Sequence, residues 1–152
     1  MQRSACKLTA LVLTRCSTTE GLLPFLTACP SIEQLVLETL GWADTIAVPD
    51  FTPFFDALRV SDANPATICA NLAFFALGWT FGTAGFASME DSMFHMMRSR
   101  FLDRLRSVRL LRKSGMALWF GEHFIQQLQD DGLDIKYVAG GKGQDLIDQL
   151  VL

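Results

Sequence analysis

Charge is scarce in this sequence. Only 19% of its 152 residues are Asp, Glu, Lys or Arg, and the formal net charge is -3 with a pI of about 5.3. That balance excludes a general nucleic-acid binder, whose affinity comes from a basic surface. Low net charge combined with 50% hydrophobic residues excludes intrinsic disorder. Cysteine is sparse as well. The four, Cys6, Cys16, Cys29 and Cys69, are too few for a disulfide scaffold. No two have Cys-x-x-Cys spacing and no His lies near them, so no zinc site is expected. His95 and His123 are the only histidines. Neither belongs to an HExxH motif or a readable Ser/His/Asp set. The expectation is a protein with no catalytic residues, no metal and no cofactor. A small enzyme whose groups converge only in the fold is the weaker alternative.

The N-terminal residues do not read as a convincing secretory signal. Arg3 and Lys7 precede a short apolar run over residues 8–13, and Arg15 ends it too early. The cysteines are therefore expected as reduced thiols in a cytoplasmic or nuclear protein. One long uncharged stretch is present, residues 63–89. Within it, residues 68–87 reach the ~20 residues that a membrane-crossing helix needs. A membrane-associated protein with a single span there is the alternative functional reading. Asn71, Thr80 and Thr83 interrupt the stretch, and Gly78, Gly82 and Gly85 weaken a helix. A strand followed by a glycine-rich loop accounts for it without lipid.

What the sequence does contain is a repeat. Leu8-Thr9-Ala10-Leu11-Val12-Leu13 reads LxxLxL. Ile32-Glu33-Gln34-Leu35-Val36-Leu37, Leu72-Ala73-Phe74-Phe75-Ala76-Leu77 and Leu105-Arg106-Ser107-Val108-Arg109-Leu110 repeat it. Leu133-Asp134-Ile135 keeps the last two apolar positions of a fifth copy, with Leu133 matched to Val108, 25 residues earlier. The first positions are 24, 40 and 33 residues apart. The short spacings suit a leucine-rich repeat of ~20–29 residues, and the long ones need inserted loops. Apolar residues two apart point to the same side of a strand, so each unit has one apolar side that only stacking neighbours can bury.

Helices are expected between the strands. Ser17-Thr18-Thr19-Glu20 has capping-box spacing before residues 21–28. Thr52-Pro53 starts a second helix through Phe54, Phe55 and Leu58. Ser88-Met89-Glu90-Asp91 opens a third carrying Met93, Phe94, Met97 and Phe101. Phe120, Phe124 and Leu128 give the apolar stripe of a fourth, which stops near Gly132. The fold class is thus α/β: a leucine-rich-repeat solenoid with a curved parallel sheet of about five strands and helices on its convex side. The repeats cover residues 1–138, and residues 139–152 form a glycine-containing turn and a short tail helix.

Gly140-Gly141-Lys142-Gly143 lacks the spacing of a phosphate loop and reads as that turn. Arg98, Arg100, Arg104, Arg106, Arg109, Arg112 and Lys113 hold seven of the 13 basic residues. They read as a solvated helix end and repeat rim. If the cluster binds anything, an acidic protein segment fits better than nucleic acid. Glu90/Asp91 and Asp130/Asp131 are sequence neighbours that do not face each other on a helix, so neither is an acid–base couple.

The junctions Leu26-Thr27-Ala28-Cys29-Pro30-Ser31-Ile32 and Ile68-Cys69-Ala70-Asn71-Leu72 resemble the helix-to-strand phrase Cys-Pro-x-Leu-x-x-Leu-x-Leu of F-box proteins. Gly21-Leu22-Leu23-Pro24-Phe25-Leu26, the Leu105 strand and Gly132-Leu133-Asp134-Ile135 most resemble the C-terminal repeats of basidiomycete F-box-like proteins, over residues 5 to 138. Ala70 stands where that family often has proline. No F-box motif precedes the first strand, and neither does a polar cap, so the chain looks like the repeat half of such a protein or a shortened relative. The resemblance implies a non-enzymatic protein–protein interaction module, akin to the substrate-recognition repeats of a ubiquitin-ligase subunit. Its partner would be a protein substrate on the concave face. The adaptor of an SCF-type ligase would join only if a longer form carries an F-box. Strand period places Val12, Gln34, Val36, Phe74, Ala76, Ser107, Arg109, Asp134 and Lys136 on that face, and Glu38 extends it. The candidate binding residues are Gln34, Val36, Glu38, Phe74, Ser107, Arg109, Asp134 and Lys136, with Phe74 an exposed anchor beside charged neighbours.

Overall fold

A computed structural model of the chain describes residues 7–16, 19–39, 50–61, 68–79, 86–112 and 121–139. The expected turn and tail helix after Ala139 lie outside these residues, as do Cys6, Phe120 and Lys113.

The period-two segments become five strands: β1 Ala10–Cys16, β2 Gln34–Thr39, β3 Phe74–Trp79, β4 Ser107–Arg112 and β5 Asp134–Ala139. Between them run α1 Leu22–Ala28, α2 Thr52–Leu58, α3 Phe86–Asp103 and α4 Glu122–Asp130. The strands form one parallel sheet in the order β1-β2-β3-β4-β5. The architecture is α/β, with each strand beside its sequence neighbour. Right-handed crossovers that always advance one strand in the same direction keep the helices on one face. The core agrees. Leu35, Leu37, Phe75, Leu77, Val108, Leu110 and Ile135 from the sheet join Leu22, Leu26, Phe54, Phe55, Met93, Met97, Ile125 and Leu128 from the helices in a single buried cluster.

Each junction repeats a backbone device. Thr9 O accepts from the N–H groups of Glu33 and Gln34, Glu33 O from Ala73 and Phe74, and Ala73 O from Arg106 and Ser107. Arg106 O accepts from Asp134 N–H. One carbonyl just before a strand thus receives the start of the next strand and pins the register of four successive pairs. Side chains run parallel to this ladder. Ser31 Oγ donates to Leu8 O, Asn71 Nδ2 to Pro30 O, and Arg104 Nη1 to Asn71 Oδ1.

The fifth unit corrects the expected alignment. Val108 pairs with Ile135, not Leu133, and Leu110 with Tyr137. Leu133 is instead the buried residue entering the core from the preceding bend. The error was two residues, so it left the assigned faces unchanged.

Helix ends depart from expectation in several places. The cap of α1 is Gly21, at φ 80°, with no side-chain bond; Ser17 and Thr18 lie outside the described residues. Helix α2 does begin at Thr52 with Pro53 in its first turn, and Asp50 Oδ1 accepts from Thr52 N–H at 2.9 Å. Helix α3 starts at Phe86, ahead of Ser88. In α4 the buried stripe is Ile125 and Leu128, while Phe124 is 37% exposed. Its C-terminus closes as a Schellman motif: Gly132 N–H donates to Gln129 O and Leu133 N–H to Leu128 O, with Gly132 at φ 101°.

The uncharged stretch contributes β3, the central strand, hydrogen-bonded on both sides. A strand so placed is not a spanning helix. Among the described residues, no helix is long and apolar enough to cross a membrane.

Candidate functional site

The face of the sheet opposite the described helices carries the candidate residues in register. Gln34, Phe74, Ser107 and Asp134 form one row across β2 to β5. Val12, Val36, Ala76, Arg109 and Lys136 form the next across all five strands. Glu38, Gly78, Leu111 and Val138 form the third. All the candidate residues thus fall in these three rows, on one side of the sheet, as the period of two predicts.

Burial divides that face. Val36, Ala76 and Leu111 are 3%, 0% and 1% exposed and form a second small core, with Phe74 packed partly against it. Glu38 is buried as well. Val36 and Glu38 are thus not accessible contact residues, and Phe74 is half-buried, not an exposed anchor. Leu111, in the third row, brings a large apolar side chain to that side and joins Val36 and Ala76 in the cluster; a strand period fixes a side chain's orientation, not what packs over it. Leu111 could have been found by reading the strand two residues past Arg109. The accessible part is the first row with Arg109 and Lys136 beside it.

Its centre is a polar cluster on β4 and β5. Arg109 Nη2 and Ser107 Oγ both donate to Asp134 Oδ2 at 2.8 Å. Arg109 Nη1 also donates to Val108 O and Asp134 O. These bonds, from Arg109 first and Ser107 second, hold the Asp134 carboxyl below its ordinary value. Arg109 is held in place by three acceptors and faces the surface as a fixed guanidinium edge. That arrangement suits recognition of polar groups on a partner more than diffuse charge attraction.

Among the described residues, the other arginines of the cluster sit in different surroundings. Arg100 is 1% exposed. It donates through Nε to Leu58 O at 2.6 Å, through Nη1 to Cys69 O at 2.8 Å, and through Nη2 to Ile68 O. It ties α2 and the junction before β3 to α3. Burial lowers its pKa, opposed by the Cys69 thiol and Asp103. Arg104 is bonded to Asn71 Oδ1, and Arg106 to the carbonyls of Phe101, Asp103 and Leu105. Arg98 is exposed on α3. Lys113 and the side chain of Arg112 lie outside what is described.

Cys69 is fully buried, at φ 50°, and burial pushes its thiol up to about 11 despite the opposing charge of Arg100. Burial and then Glu38 also raise the Cys16 thiol. Such thiols are poor nucleophiles and weak metal ligands at neutral pH. Among the described residues, no group of three or more His, Cys, Asp or Glu residues could hold a metal ion. His95 and His123 stand exposed on α3 and α4, and the His123 ring lies 3.9 Å from that of Phe124.

In comparisons with known proteins, the chain matches no family model, no curated protein and no solved structure.

Proposed function

We propose that the chain is a non-enzymatic protein-interaction module built of leucine-rich repeats. The sheet face opposite the described helices acts as the concave recognition surface, in the manner of the substrate-binding repeats of F-box proteins. The observation that carries this reading is the row Gln34, Phe74, Ser107 and Asp134. It places an accessible amide, a half-buried ring, a hydroxyl and a carboxylate bonded to Arg109 side by side on four adjacent strands. The repeated carbonyl that receives two N–H groups at successive junctions supports the solenoid reading, because it gives each unit the same relation to the next. A half-buried aromatic beside fixed polar groups is the usual composition of an interface centre.

The test uses a photo-crosslinking residue at Gln34 in the full chain, in its own cells, with Gln126 on α4 as the control position. One protein should be captured at Gln34 and not at Gln126, and capture should vanish with Phe74→Asp. Equal capture at both positions, or capture that survives Phe74→Asp, refutes the reading.

A further inference from the structure

A second surface lies on the opposite side of the molecule, among the helices. Asp91, Phe94, His95 and Arg98 of α3 and Phe124, Gln127 and Leu128 of α4 line a groove with room for about 80 Å³. Positions 91, 94, 95 and 98 share one face of a helix, as do 124, 127 and 128. The floor is apolar. Phe94 and Phe124 stack at 5.1 Å with their planes 21° apart, and Leu128 is buried beside them. Phe94 is 5% exposed and Phe124 37%, so one ring is covered and the other is open to a ligand.

The rim is charged and polarised. Asp91 and Arg98 are exposed, and among the described residues neither side chain makes a hydrogen bond or ion pair. Seven residues separate them on α3, about 10 Å along the axis at 1.5 Å per residue. They do not pair with each other, and both line the groove that holds the open ring.

We propose that this groove binds an extended peptide segment of a partner protein that carries a basic, an apolar and an acidic residue at alternate positions. The apolar side chain occupies the floor against Phe124. The basic end meets Asp91 and the acidic end meets Arg98. Alternate residues of an extended chain point the same way, and two such steps span roughly 13 Å, within side-chain reach of the two charges. The volume suits one side chain. This site is separate from the sheet face and does not depend on how that face functions.

The experiment titrates blocked peptides into the isotopically labelled full chain and follows amide chemical shifts. The probes are Lys-Ser-Phe-Ser-Glu, Glu-Ser-Phe-Ser-Glu, Lys-Ser-Phe-Ser-Lys and Lys-Ser-Ala-Ser-Glu. The first should bind most tightly, with shifts confined to α3 and α4. Replacing one charged end should weaken binding about fivefold, as expected of an exposed ion pair. Replacing Phe with Ala should weaken it about tenfold or more. Asp91→Lys should move the preference to the doubly acidic peptide, and Arg98→Glu to the doubly basic one. A reversal of rank order cannot come from misfolding. Absence of shifts at millimolar peptide, equal affinities, or an order unchanged by the charge swaps overturns the proposal. So do shifts of the groove residues that track protein concentration without peptide, which would mean that a second copy of the chain occupies it.

Discussion

Replacing Arg100 by methionine should be among the most damaging single changes in this protein. Methionine has nearly the length and volume of the aliphatic stem but none of its donors. Three carbonyls, those of Leu58, Ile68 and Cys69, lose their partner together in a region where Arg100 is 1% exposed. Each hydrogen bond to a charged donor contributes about 1.5–3 kcal/mol net, and an orphaned buried carbonyl costs about 1–3 kcal/mol. Relief from burying the guanidinium offsets part of this, so the net loss should be about 3–5 kcal/mol. Domains of this kind are stable by only about 5–15 kcal/mol. With a urea slope near 2 kcal/mol per M, the unfolding midpoint should fall by about 2 M at unchanged slope. Arg100→Lys keeps the charge but cannot reach all three carbonyls, and should lose about half as much. Arg98→Met, on the exposed side of the same helix, should change stability by less than about 0.5 kcal/mol. A midpoint for Arg100→Met within about 0.5 M of the parent would refute the claim that these three bonds hold α2 and the β3 junction to α3.

Three further outcomes are expected. Phe75→Ala empties a site where the ring is 0% exposed and lies edge-on to Phe55 at 6.2 Å; it should cost about 3–5 kcal/mol by chemical denaturation. The adjacent Phe74→Ala should cost under about 1.5 kcal/mol, and similar losses at the two positions would contradict the assigned faces. The Asp134 carboxyl is held low by Arg109 and Ser107, so its contribution to stability is present above the ordinary value of 3.8 and is lost as pH falls through its folded value. Arg109→Met should raise the Asp134 midpoint in a carbon-13 titration, and an unmoved midpoint would dismiss the cluster. The Cys69 thiol, pushed up to about 11 by burial, stays neutral in the folded state where the unfolded thiol ionises, so its contribution, complete below pH 9, fades as pH rises from there to 11. At pH 8.5 Cys69 should alkylate at least tenfold more slowly than Cys29, measured by mass spectrometry; equal rates would mean that the junction opens freely.

Residue order alone dictates the alternation of strand and helix and the side to which each strand residue points. Both follow from local periods: two residues per repeat in a strand, with leucines spaced to match. Even the two-residue misalignment of Leu133 left Asp134 and Lys136 on the correct face, because a shift by a whole period changes partners and not orientation. The second helix was legible for the same local reason, since Thr52-Pro53 starts it wherever it packs. Which charges are free depends on packing between distant segments. Arg98, Arg100, Arg104, Arg106 and Arg109 look alike in sequence, yet one is open, one is buried on carbonyls from residues 58, 68 and 69, and one is locked to Asp134. Those partners lie 25 to 42 residues away. The same holds for the burial of Val36 and Glu38, and for the groove where Phe124 stacks on Phe94. A side chain's orientation is set by its own backbone, whereas its accessibility is set by whatever distant part of the chain packs over it.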